Sequence, residues 1–222
     1  MTSVVSLQVE RELLASGGRF LAGMDEVGRG ALAGPVSVGV VVVAATTPEA
    51  PSGVRDSKQL RPEVRERLFG PVRSWAPACG VGHASSGEID QLGIIAALRL
   101  AGHRALDIAQ GQLGVSVDLL LLDGRHDWFT PPEDGTLFDA GEVGPRVVTR
   151  IKADTMCASV AAASIIAKVE RDQIMCELGA ESPWFNWAGN KGYASKEHME
   201  ALRTHGPSAQ HRVSWNLPAS SA

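Results

Sequence analysis

At 222 residues, 44% of them hydrophobic, and with a formal net charge of −4, the chain supports one full core with a small appendage and lacks the basic excess of many nucleic-acid-binding proteins, so any contact with a polyanion requires a local patch. Cys79, Cys157 and Cys176 are far apart with no CxxC pair, which suggests neither a disulfide framework nor a zinc site and predicts a reducing, cytoplasmic setting. The opening residues lack the basic head of a signal peptide and no apolar run approaches the roughly 18 residues of a membrane span, so no membrane partner is expected.

The first predicted element is a short buried strand from Phe20 to Glu26. Gly28, Gly30 and Gly34 follow, then Val36 to Val43, a valine run of strong strand propensity; two strands joined by a glycine-rich turn suggest an antiparallel pair. Arg61 to Trp75 reads as a helix with Pro62 near its first position, where a missing N–H costs nothing, and Gly80 to Ala84 as a third strand. Ser85 and Glu88 have capping-box spacing, and apolar residues recur at helical intervals from Ile89 to Ala109, which predicts one long helix. The run from Val117 to Leu122, ending at Asp123, predicts a strand buried on both faces. Trp128 to Gly144 has the prolines and glycines of a surface loop; Arg146 to Lys152 reads as a fifth strand, and Thr155 to Glu177 as an alanine-rich helix able to pack closely. From Asn186 onward the chain is polar, aromatic and basic in patches, with one helix from Lys196 to Thr204. Three antiparallel strands followed by alternating helices and strands predict an α/β layer architecture with a mixed sheet.

Asp25, Glu26, Asp123 and Asp154 fall at predicted strand or helix ends. Mg²⁺ and similar hard ions take oxygen ligands and keep several waters, so one or two carboxylates per ion suffice beside substrate oxygens. Neighbours in a strand face opposite sides, so Asp25 and Glu26 share a site only where the chain leaves regular geometry, which Gly28 and Gly30 make inexpensive. Ordinary roles compete with this reading. Asp154 stands where a helix N-cap would, Asp123 before Gly124 is common turn chemistry, and paired acids are usually solvated.

The blocks GMDEVGRGALAGPV, DSKQL (Asp56 to Leu60), EID (Glu88 to Asp90), LLLDG ending at Gly124, KADTMCASVAAASIIAKVERD and NKGYASKEHMEALRTHGPSAQHRVSW follow one another between about Phe20 and Trp215. In that order they resemble the ribonuclease HII family, type 2 ribonucleases H, in its bacterial form. The resemblance implies a ribonuclease H-like α/β fold, a mixed five-stranded sheet flanked by helices over residues 1–178, with a small helical C-terminal appendage over 179–222 that contributes to substrate binding. It implies that Asp25, Glu26, Asp123 and Asp154 are the catalytic carboxylates and bind two Mg²⁺ or Mn²⁺ ions. Gly28, Arg29 and Gly30 match the turn whose backbone senses a ribonucleotide 2′-OH, and Tyr193 the ring that stacks beside the scissile junction. The implied activity is hydrolysis of the RNA strand of RNA/DNA hybrids and incision of DNA duplexes 5′ of embedded ribonucleotides, giving 3′-OH and 5′-phosphate ends, by a monomer. One departure is Ala153, which precedes Asp154 where the family usually has glycine.

Arg29, Lys58, Lys152, Lys168, Lys191 and Lys196 lie in or beside these blocks as candidate phosphate contacts, although each alone is more often a solvated charge. Lys58 has the strongest claim, because the family places its segment near the substrate backbone. Lys168 and Arg171 are the alternative case, pairing with acids on their own helix. Tyr193 is the sole tyrosine and, beside Gly192, suits stacking on a sugar or base. Trp184, Trp187 and Trp215 are expected to pack the appendage, and His198, His205 and His211 to lie on helix surfaces.

Overall fold

The computed structural model describes residues 5–131 and 144–219. Five strands form one sheet in the order β3-β2-β1-β4-β5. β1 (Phe20–Val27), β2 (Val36–Ala44) and β3 (Ala78–Ala84) are antiparallel neighbours, β4 (Leu119–Asp123) runs parallel to β1, and β5 (Arg146–Arg150) parallel to β4. This is the mixed five-stranded sheet expected, with helices on both faces. Along β2 the alternation of a strand decides which valine goes where. Val41 and Val43 join the core under helices α1 (Gln8–Ala15), α2 (Pro62–Trp75) and α5 (Ala158–Glu181), whereas Val36, Val38, Val40 and Val42 face α4 (Ile94–Leu113).

The alanine-rich start of α5 lies unusually close to the sheet. A Cβ added to Gly39 would fall 2.3 Å from the carbonyl oxygen of Ala163, so only glycine on the strand and small residues on the helix permit this approach. Residues from Ala158 to Ala167 are accordingly all buried. The contact fixes the helix against β1 and β2, next to the strand end that carries Asp25.

Several boundaries differ from the expectations. The single long helix predicted from Ile89 is two, α3 (Ser86–Leu92) and α4, because Gly93 adopts φ 78° and breaks the helical path; the capping box of Ser85 and Glu88 is present. The strand predicted from Val117 starts at Leu119, since the intervening Asp118 instead accepts hydrogen bonds from the backbone N–H groups of Arg19 (2.7 Å) and Phe20 (2.9 Å). The fifth strand stops at Arg150. Lys152 takes a left-handed conformation (φ 61°), and a 3₁₀ turn, Ala153–Thr155, intervenes before α5. Helix α1 lies before the first element expected from the sequence. Its Glu10, fully buried, accepts from both Ser159 N–H and Ser159 Oγ–H at 2.8 Å and so ties α1 to the first turn of α5.

Most of the surface loop expected between Trp128 and Gly144 lies outside the described residues. Its first residues, Trp128 and Phe129, are buried against α4 rather than exposed. The C-terminal segment continues α5 into a 3₁₀ turn (Pro183–Phe185), α6 (Trp187–Asn190) and α7 (Lys196–His205), around a separate apolar cluster of Met175, Phe185, Trp187, Ala201 and Leu202 with Ala33. Trp187 packs there as expected. Trp184 is exposed instead, and Trp215 lies at the edge of the core under α4. His198 and His211 are buried, not on helix surfaces; His205 alone of the three is exposed.

Candidate active site

The register of β1 and β4 brings the first two carboxylates together. Met24 pairs with Leu122, and both face the α4 side, so the next residues, Asp25 near the end of β1 and Asp123 at the end of β4, lie on neighbouring parallel strands on the α5 side. Asp25 is buried. Burial pushes its carboxyl well above the usual range, and the charges of Glu26, Asp123 and Asp154 push it further, against the lowering influence of Lys58. Asp123 accepts a hydrogen bond from Ala153 N–H at 2.8 Å, which draws the 3₁₀ turn, and with it Asp154, to the same strand end.

Asp154 is buried and does not cap α5, which begins at Ala158 with Cys157 at its N-cap position. Its carboxyl is raised by burial, by Asp123 and by Asp56, while Lys58 opposes the rise. Glu26 lies in the regular part of β1, paired with Val38, so the departure from strand geometry expected at Asp25 and Glu26 does not occur. Glu26 instead reaches the cluster electrostatically from the opposite face: burial and Asp123 raise its carboxyl, and Arg29, 3.5 Å away, opposes them.

Lys58 completes the cluster. Asp56, buried, caps the short 3₁₀ turn Ser57–Gln59 by accepting Lys58 N–H at 3.0 Å, and Ser57 N–H donates to Ser164 Oγ of α5 at 3.0 Å. The turn is thereby fixed to the helix, and Lys58 Nζ comes to 3.7 Å from Asp154 Oδ2. Desolvation would lower the ammonium's pKa, but Asp25, Asp56, Asp154 and Asp123 together raise it.

The turn after β1 is held by two fully buried arginines. Arg212 donates to the carbonyls of Gly28 (2.7 Å), Arg29 (2.9 Å) and Gly34 (3.1 Å), and Arg171 to those of Pro35 (2.9 Å), Lys191 (3.0 Å) and Ala33 (3.3 Å). Gly28 adopts φ 80°, and a Cβ there would lie 2.0 Å from Arg171 Nε; no other residue fits. Arg29 and Gly30 are exposed beyond it. Arg171 Cζ also stands 5.7 Å from the centroid of the Tyr193 ring, and Gly192 O accepts from Leu32 N–H at 2.8 Å. The Gly28 turn and Tyr193 thus meet on one guanidinium, with the tyrosine exposed.

Lys168 pairs with Asp172 of its own helix at 2.6 Å, but Arg171 binds main-chain carbonyls. Lys191 Nζ is taken up by Ala188 O at 2.6 Å, leaving Lys152 and Lys196 exposed. The roles of Asp56, Arg171 and Arg212 went unread in the sequence, although all three stand inside the blocks that carry the resemblance.

An all-oxygen set of crowded carboxylates suits hard divalent cations, whose charge would offset the repulsion that raises Asp25, Glu26 and Asp154. Among the described residues no group of three or more His, Cys, Asp or Glu side chains forms a ready-made metal cage. That is compatible with ions held by one or two carboxylates each and completed by water and substrate oxygens.

A family model described as Ribonuclease HII matches residues 22–217. Ribonuclease HII of Streptomyces coelicolor is 45% identical over 208 residues, 93% of this chain and 82% of that protein. Ribonuclease HII of a Synechococcus strain is 44% identical over 211 residues, covering 95% of this chain and 87% of that protein. Among solved structures, the ribonuclease H2 of Pyrococcus horikoshii matches with a TM-score of 0.66 at 26% identity, over 89% of this chain and 94% of that one.

Proposed function

The chain belongs to the ribonuclease HII family, endoribonucleases of RNA/DNA hybrids, and on that premise we propose that it also incises DNA duplexes on the 5′ side of a single embedded ribonucleotide, leaving 3′-OH and 5′-phosphate ends. The observation that carries the reading is the convergence of Asp25 and Asp123, on adjacent parallel strands, with Asp154 of the following 3₁₀ turn, with Glu26 in electrostatic reach and Lys58 at the rim. Two Mg²⁺ or Mn²⁺ ions bound there would supply an activated water and stabilise the leaving oxygen of an in-line phosphoryl displacement.

The chain's own residues do the rest. Asp25, Asp123 and Asp154 provide the oxygen ligands, and Glu26, the fourth carboxylate expected from the resemblance, adds its charge from the opposite face of the strand. Lys58 meets a substrate phosphate beside Asp154, as an ammonium on a long exposed stem can. The only chemical difference between a ribonucleotide and its neighbours is one hydroxyl, so its recognition requires close polar contact at that sugar. The Gly28–Gly30 turn offers main-chain groups there, held by Arg171 and Arg212. The 179–222 appendage contributes Tyr193, which stacks on the sugar beside the junction. Cytoplasmic, monomeric action belongs to the same proposal. Its support is the resemblance and three free cysteines, two of them buried; among the described residues no helix is long and apolar enough to cross a membrane.

The test is end-mapped cleavage of three labelled duplexes, all-DNA, one-ribonucleotide and full RNA/DNA hybrid, with Mg²⁺, with Mn²⁺ and with chelator. The proposal expects a single cut 5′ of the lone ribonucleotide, and only with metal. Degradation of the full hybrid with the one-ribonucleotide duplex left intact would sink the incision reading.

A further inference from the structure

The C-terminal segment buries two imidazoles against each other: His198 of α7 and His211 lie with their Nε2 atoms 3.0 Å apart. Their protons can be assigned from partners that have no choice of role. Ser208 N–H, which can only donate, is 2.9 Å from His211 Nδ1, so that nitrogen carries a lone pair and the proton of neutral His211 sits on Nε2. His211 Nε2–H therefore donates to His198 Nε2. Trp187 Nε1–H, also a donor only, points at the same His198 atom from 3.1 Å, and the two donors share its lone pair. The remaining proton of His198 must be on Nδ1, which lies 2.9 Å from the carbonyl oxygen of Tyr193, a pure acceptor.

The result is a directed chain, Ser208 N–H to His211, His211 to His198, and His198 to the main chain of Tyr193. An added proton on either ring would set N–H against N–H, at the Nε2 pair or at Ser208. The surroundings agree with two neutral rings. Phe185 and Trp187 meet both rings edge-on or tilted, and burial lowers both imidazoles, His211 to about 4 with His198 adding to the effect. Tyr193 O also accepts from Ser195 N–H at 2.8 Å, so its carbonyl is held from two sides while its ring stays exposed over Arg171.

We infer that His198 and His211 are positioning residues for Tyr193: the histidine chain fixes the main chain from which the exposed ring projects beside the Gly28 turn. The inference rests on the reading of Tyr193 as a substrate contact. An imidazole pair serves better than apolar packing because the donor at His198 Nδ1 holds the Tyr193 carbonyl from the side that Ser195 N–H does not reach.

Two measurements test it. Long-range ¹H–¹⁵N correlation on the wild-type protein near pH 7 reads the tautomers directly. Protons on His211 Nε2 and His198 Nδ1 are expected, and the opposite tautomer or a charged ring at either position overturns the inference. The second is a double-mutant cycle with the one-ribonucleotide duplex. His198→Leu is expected to lower kcat/KM about tenfold or more, as misplacement of a positioning group does, and His198→Asn, whose amide N–H replaces Nδ1–H, to restore most of it. In a Tyr193→Ala background His198→Leu should have no further effect. If Tyr193→Ala itself cuts like wild type, the substrate-contact reading of the tyrosine fails. If Tyr193→Ala is impaired while folded His198→Leu is not, or if the two losses multiply, the positioning role fails.

Discussion

Lys58 Nζ lies 3.7 Å from Asp154 Oδ2, with the lysine side chain largely exposed and the aspartate buried. A cation on an exposed stem thus stands beside the acidic cluster. For Lys58→Ala we expect cleavage to weaken about tenfold and the dependence of log KM on log salt concentration to flatten by about one, as when one phosphate contact is lost. Kinetics at four or five ionic strengths check this; an unchanged slope assigns Lys58 to the carboxylates alone.

Asp25, Glu26 and Asp154 hold protons more tightly in the folded protein than in an unfolded chain, chiefly through burial. Between their ordinary values and the raised folded ones the native state therefore carries more protons, and without metal its stability falls as pH rises through that window. Asp25→Asn removes the group raised furthest. In chelator at pH 7 the variant should melt a few degrees higher than wild type and show a shallower pH slope, because each tenfold difference in proton affinity between the folded and unfolded chain is worth about 1.4 kcal/mol. Melting curves from pH 4 to 8 decide the matter, and a variant that melts lower at pH 7 contradicts it.

Gly28 and Gly30 separate structural from functional need within one turn. Gly28→Ala forces a left-handed alanine into the Arg171 guanidinium and should cost at least about 1–3 kcal/mol of stability. At Gly30 a Cβ meets nothing within 4 Å, so Gly30→Ala should fold with near wild-type stability. If main-chain approach to a 2′-OH is its purpose, the variant nonetheless loses activity on the one-ribonucleotide duplex. Normal cleavage by Gly30→Ala would remove this glycine from the recognition site.

Asp154→Asn distinguishes charge from shape. Because Asp154 does not cap α5, asparagine should leave stability within a few tenths of a kcal/mol of wild type, or raise it by relieving repulsion from Asp123, while cleavage falls at least about a hundredfold as a ligand charge is lost. Equal activity of the two proteins would return Asp154 to a structural role.

The sheet was legible because its strands rest on local patterns, and the four candidate carboxylates, Asp25, Glu26, Asp123 and Asp154, stood out because each falls near the end of a predicted element. The short leucine run before Asp123 fits a strand covered on both faces, and Asp25 ends a short apolar run before glycines. What held the site together was less visible. A buried arginine that binds carbonyls reads in sequence like any surface arginine, so Arg171 was expected to pair with its own helix, and Arg212 drew no notice. His198 and His211 are 13 residues apart, a separation with no helical or metal-ligand period, and their burial depends on mutual hydrogen bonding that exists only in the fold. Gly93 interrupts apolar spacing that continues on either side, which is why α3 and α4 read as one helix. The missed α1 is eight residues long, and its Glu10 is bound to Ser159, far along the chain.

Whether the clustered carboxylates exist to hold cations for phosphoryl transfer is decided by calorimetric titration of Mn²⁺ into wild-type and Asp25→Asn protein, with cleavage of the one-ribonucleotide duplex measured on the same preparations. If they do, the variant binds Mn²⁺ at least about tenfold more weakly and fails to cut the duplex, while remaining folded. Wild-type metal affinity together with near-normal cleavage by Asp25→Asn at saturating Mn²⁺ would contradict it.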